Sequence, residues 1–170
     1  MSKPHFLLFV FILSLFTLTA CEDETGTELN PDEFPEGEIW ATVDNTFFRF
    51  NSVGNLRPQD ANGYAADNKF TNITRESTGE FFGVAQIRLL RLDLDVQRYP
   101  VEVTEGFTFT FRPEPNTAFV GEDEAMQLTL TGFEDNVLEG TFSGRVSNLD
   151  APNQFFTIRE GEFKIRLVRF

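Results

Sequence analysis

The 170-residue chain has one cysteine, Cys21, and one histidine, His5. No thiol or imidazole lies beyond residue 21. That excludes disulfides within the remainder of the chain. It also excludes Ser-His-Asp and Cys-His nucleophilic sites, which need an imidazole base, and His/Cys sites for zinc. Base is scarce too: 14 Lys and Arg stand against 27 Asp and Glu, a net charge of −13. No basic stripe exists for phosphate backbones, so nucleic acid is not an expected partner. Long apolar runs are missing as well. The longest, residues 6–18, has 13 residues, short of the roughly 20 that span a bilayer. No metal or other cofactor is expected.

That run has the layout of a secretory signal: a short start carrying Lys3, an apolar middle and small residues at the exit. Its end, Leu18-Thr19-Ala20-Cys21, resembles the lipobox of bacterial lipoproteins. The resemblance implies that residues 1–20 are removed and that Cys21 carries the lipid which ties the protein to a membrane. Stable anchoring takes more than one acyl chain, as a diacylated and usually N-acylated cysteine provides. Residues 21–37 then contain seven acids, no base and two prolines, the composition of a flexible, self-repelling tether. Glu22-Asp23-Glu24 resembles the acidic run that directs lipoproteins of Bacteroidota to the outer face of the outer membrane. The periplasmic face is the alternative.

Residues 38–170 form the expected single domain, with a net charge of −7 from 13 bases and 20 acids, ordinary for a soluble surface. Their pattern has period two. Strands are predicted near 39–43, 46–51, 69–75, 81–89, 90–97, 106–112, 125–131, 137–146, 154–159 and 162–169. Residues 52–67 read as a loop and Asp44-Asn45 as a tight hairpin turn. Phe107, Phe109 and Phe111 alternate with Thr108 and Thr110, giving one aromatic face. Parity flips at Leu89-Leu90, so a bulge or break is expected there. Glu160-Gly161 can be a two-residue turn, pairing Ile158 with Phe163 and Phe156 with Ile165, or a bulge in one continuous strand. The predicted fold is all-β, an antiparallel β-sandwich of about eight to ten short strands. A lipocalin-like β-barrel is the alternative. A membrane barrel, suggested by the terminal FKIRLVRF, sits poorly with a lipobox and an acidic tether.

Trp40-Ala41-Thr42-Val43-Asp44, Leu138-Glu139-Gly140-Thr141-Phe142-Ser143 and the block Phe156 to Phe163 follow the lipobox and spacer in order. Together they resemble the small uncharacterised β-rich lipoproteins of Bacteroidota, although Asn45 stands where a glycine is more usual. The resemblance implies architecture and address, not chemistry.

Candidate sites are few. Gly121-Glu122-Asp123-Glu124 offers three acids for a weak calcium site, or simply a solubilising loop. Asp60-Ala61-Asn62-Gly63 starts like a calcium loop but reads better as Asx turns. Asp93 and Asp95, on one strand face, have the spacing of a glycosidase pair. Cross-strand pairing with Arg88, Arg91 and Arg98 explains them as well. Trp40 reads as core. Tyr64, in a Gly/Asn/Ala loop, is expected to be exposed, and Tyr99 reads as a strand exit; these two are the candidate ligand-contact aromatics. The functional expectation is a non-enzymatic, lipid-anchored binding or structural module of the cell envelope, for a glycan or an envelope protein. A lipocalin-like carrier of an apolar molecule is the first alternative, and a carboxylate-dependent glycan hydrolase the second.

Overall fold

A computed structural model describes residues 36–78 and 81–170. Cys21, Glu22, Asp23 and Glu24, with the predicted signal and most of the tether, lie outside the described residues. Twelve strands follow in order: β1 Glu38–Val43, β2 Thr46–Ser52, β3 Asn62–Ala65, β4 Phe70–Ser77, β5 Val84–Leu90, β6 Val101–Glu102, β7 Phe107–Glu114, β8 Thr117–Glu122, β9 Met126–Glu134, β10 Val137–Asn148, β11 Phe155–Arg166 and β12 Val168–Arg169. One helical turn, α1 Pro58–Ala61, precedes β3, and a 3-10 turn covers Leu94–Val96.

The sheet closes on itself. The ring runs β11-β1-β2-β4-β5-β7-β8-β10, and β10 pairs with β11 to complete it. The all-β, antiparallel expectation therefore holds, but the architecture is an eight-stranded barrel and the sandwich is corrected. Alternation could not separate the two, because both bury one face of every strand. Closure rests on a detail at Glu160-Gly161. The chain does not turn there. Thr42 faces Arg159 and Trp40 faces Glu162, so two residues oppose Ala41 across a bulge. Glu160 takes the left-handed conformation (φ 51°). A Cβ on Gly161 would stand 2.5 Å from the Phe142 carbonyl oxygen, which requires glycine. One twelve-residue strand thus pairs with β10 along one edge and β1 along the other.

Two wall positions are each filled by two short strands in succession. β2 and then β3 run antiparallel to β4. β8 and then β9 run antiparallel to β10. Inward side chains of all these strands meet in one core. Phe107, Phe109 and Phe111 are buried, as their alternation predicts. The Phe109 ring stands 4.7 Å from Phe142, whose ring is 6.3 Å from Phe163. An eight-stranded barrel is just wide enough for side chains to fill it, and here phenylalanine supplies much of the filling.

The registers define two poles. The β1–β2, β4–β5, β7–β8 and β10–β11 connections lie at one. At the other, the chain enters at Glu36-Gly37. There the Gly37 amide donates to the Lys164 carbonyl (2.7 Å), and Arg166 pairs with Glu36 (2.7 Å).

Candidate functional site

Three phenylalanine doublets lie at the pole remote from Glu36: Phe47-Phe48 opens β2, Phe81-Phe82 precedes β5, and Phe155-Phe156 opens β11. In a strand, neighbours point to opposite faces, so a doublet cannot be wholly buried. Phe48 is buried and Phe156 partly so, while Phe47 is 58% exposed and Phe155 49%. Phe81 (54%) and Phe82 (47%) lie in the β4–β5 connection, and both are exposed.

The described residues of that connection are held by hydrogen bonds. The Ser77 amide donates to the Gly83 carbonyl (2.8 Å) and the Ser77 hydroxyl to the Phe81 carbonyl (2.6 Å). The Thr78 hydroxyl donates to Asn51 Oδ1 (2.7 Å). Two strands along the ring, the Asp44 amide donates to the Thr157 carbonyl (2.8 Å), and Asp44 Oδ1 accepts from the Thr157 amide (2.9 Å). Between these anchors an aromatic path leads inward. Phe81 stands 6.3 Å from Phe48, Phe48 5.3 Å from Phe111, and Phe111 5.6 Å from Phe156.

A groove of about 350 Å³ opens beside this path, lined by Phe47, Phe48, Arg49, Asn51, Ser77, Thr78 and Phe81. An apolar wall with a few convergent polar groups is the usual make-up of a small-molecule site, and barrel mouths are a common place for one. Among the described residues, the one charged group in the lining is Arg49. Its guanidinium donates to both carboxylate oxygens of Glu38 (2.6 and 2.5 Å), and this hydrogen bonding raises its pKa further. The mouth can desolvate and hold an apolar group.

The aromatics singled out in the sequence sit elsewhere. Tyr64 is wholly buried, a correction of the expected exposure. Its loop is in fact strand β3, and its ring packs 6.0 Å from Phe133. The Tyr64 hydroxyl accepts from the Leu94 amide (3.2 Å) and donates to Asp95 (3.3 Å). Burial raises its pKa. Tyr99 is half-buried, donates to the Leu94 carbonyl (2.7 Å) and is pushed up to about 12 by burial. Trp40 lies on the outer wall, not in the core. Its indole N–H donates to Glu38 (2.6 Å), and its ring meets Phe47 edge-on at 5.9 Å.

The acidic candidates have structural duties. Asp93 caps the 3-10 turn by accepting from the Asp95 amide (3.2 Å). Asp95 pairs with Arg169, not with Arg88, Arg91 or Arg98. The two carboxylates therefore do not share a strand face. Asp123 accepts from the Gly106 and Phe107 amides (3.0 and 2.7 Å), which fixes the start of β7. Asp60 pairs with Arg57 (2.7 Å). Among the described residues, no cluster of three or more metal-ligating side chains is present.

Sequence reasoning missed the doublets as a site, yet their signal was present. Phe47-Phe48 and Phe155-Phe156 each put two large apolar side chains on opposite faces near a strand's start, and Phe81-Phe82 puts two into a connection. No family model, curated protein or solved structure matches this chain.

Proposed function

We propose that this chain is a non-enzymatic, lipid-anchored binding module of the cell envelope, akin to the small β-rich lipoproteins of Bacteroidota. In this reading Cys21 holds it at the outer membrane with the barrel facing outward, and the aromatic mouth captures an apolar part of a ligand or envelope protein. One observation carries the reading. The exposed phenylalanines Phe47, Phe81, Phe82 and Phe155 gather at the pole remote from Glu36, where the segment bearing the lipobox joins the barrel. An apolar patch on a soluble surface commonly marks an interaction site, and this one would face away from the anchored membrane.

The test uses the full chain in its host. Labelled palmitate is expected to enter it, and Cys21→Ser to abolish labelling. External protease is expected to digest it on whole cells. Replacing both Phe81 and Phe82 by serine is expected to leave anchoring and fold intact while removing binding of an environment-sensitive apolar dye. Unlabelled protein would overturn the address, and unchanged dye binding would overturn the mouth. The closed barrel is also compatible with a second reading, the lipocalin-like carrier, in which a ligand would have to displace part of the phenylalanine filling. A carrier takes a fluorescent fatty acid inside, so its binding would respond to core substitutions such as Phe109→Leu. A ligand held at the mouth responds to Phe81 and Phe82 and not to core substitutions.

A further inference from the structure

We infer that the outer wall formed by β6, β9, β10 and β11 is a second binding site, for a neutral hydroxyl-rich oligosaccharide. A depression of about 340 Å³ in this wall is lined by the side chains of Gln127, Thr129, Thr141, Ser143, Glu160 and Glu162. The register aligns them in rows. Thr129 faces Thr141, which faces Glu162, and Gln127 faces Ser143. All point outward, since Leu128, Leu130, Phe142 and Phe163 between them are buried. The bulge that closes the barrel also turns Glu160 out beside Glu162. A row of three strands spans about 10 Å, comparable to two linked pyranose rings.

The depression does not end at β9. A second, of about 280 Å³, shares Gln127 and Thr129 as a common ridge and adds Glu102, Thr104 and Asp123. The second hollow is more apolar, since Val103, Met126 and Leu128 also line it and its Asp123 is held by the Gly106 and Phe107 amides; the first hollow therefore supplies most of the hydrogen bonds. Among the described residues, the side chains of Gln127, Thr129, Thr141, Ser143, Glu160 and Glu162 make no hydrogen bond or ion pair within the protein. Their donors and acceptors are therefore available to a ligand. Carboxylates accept from hydroxyl pairs, amides and hydroxyls do both, and a bonded carboxylate is the stronger partner.

The same features exclude other ligands. Among the described residues no basic side chain lines either hollow, so the carboxylates there disfavour phosphate, sulfate and acidic sugars. Lys164, on the neighbouring row, is paired with Glu139 (2.9 Å). A peptide adding as a strand needs a free sheet edge, whereas the row Thr129, Thr141 and Glu162 lies on the face of the sheet, where β10 is paired on both sides, with β9 and β11. Apolar ligands are left to the mouth.

The full chain, purified in a zwitterionic detergent, is to be titrated calorimetrically with neutral oligosaccharides of differing linkage, with oligogalacturonate and with spermine. At least one neutral oligosaccharide is expected to bind, with no response to oligogalacturonate. Gln127→Leu combined with Thr141→Val is expected to weaken binding at least tenfold, and Ser143→Arg to block it sterically; both leave the thermal midpoint near that of the parent. The Phe81 and Phe82 serine variant is expected to bind sugar unchanged, which separates this site from the mouth. Failure of every neutral oligosaccharide, equal binding by the wall variants, or heat released by spermine alone would overturn the assignment. The last would mean that the acids act as a plain cation trap.

Discussion

Arg75 shows how much one inward-pointing side chain can organise. It stands on β4 and is 3% exposed. Its guanidinium donates to the Gly37 carbonyl (2.7 Å), the Thr74 carbonyl (2.8 Å) and Asn62 Oδ1. One residue thus pins the entry of β1, the start of β3 and its own strand. Burial pushes its pKa down to about 10, which leaves it charged at neutral pH. Arg75→Met removes the buried charge but orphans these acceptors, each at about 1–3 kcal/mol. The orphaning is expected to win, lowering the unfolding free energy by about 2 kcal/mol in urea titration. An unchanged midpoint would show that desolvating the cation costs as much as its bonds return. Nothing in the sequence marked Arg75, because its role depends on partners 38 and 13 positions away. Tyr64 was misread for a similar reason. Glycine and asparagine around it signal a turn locally, while its place against Phe133 and Leu94 is set by the tertiary fold.

At the scale of elements, the regular alternations were legible and the compensating devices were not. The break at Leu89-Leu90 is real: β5 ends at Leu90, and Arg91 takes a φ of 63°. The predicted strand 90–97 is not formed, because Asp93 caps a 3-10 turn over Leu94–Val96. The apolar alternation there serves that turn and the contacts of Leu94. The last element, β12, depends on charge. Arg169 pairs with Asp95 and lies over the Tyr64 ring at 5.1 Å, and the Phe170 amide donates to the Tyr64 carbonyl (3.2 Å). The hydrogen bond from Arg169 holds the Asp95 carboxyl below the usual carboxylate range. Its contribution is therefore complete above an unfolded carboxylate pKa of about 3.9. It is lost as pH falls through the lowered folded value. Protection of the Phe170 amide is expected to fall over that acid range in the parent. In Arg169→Gln it should already be low at neutral pH and flat with acid. A parent profile that stayed level would remove Asp95 from the account.

For the whole molecule, closure was the property the sequence concealed. A sandwich and a barrel ask the same alternation of each strand, and only long-range pairing separates them. The decision fell to Glu160-Gly161, where a bulge keeps β11 continuous between two neighbours. The ring is not uniform. β10 and β11 pair along nearly their full length, whereas β2 and β4 meet only at Phe50 with Ser77 and Ser52 with Glu76, across an irregularity. Local opening begins where few bonds and contacts must break. In hydrogen exchange, peptides covering the β2–β4 junction are expected to take up deuterium well before those covering β10 and β11. Uniform uptake around the ring would contradict that ranking.

Both the entry of the chain and its last residue belong to a single pole of this barrel. A fluorescent protein or epitope fused after Phe170 would sit at the pole of Glu36, leaving the phenylalanine mouth unobstructed. Joining Phe170 to Glu36 at that pole and cutting the hairpin at Pro115-Asn116 would move a fusion partner across the barrel, directly onto the mouth. The two fusions would form a matched pair for asking which pole must stay uncovered for binding.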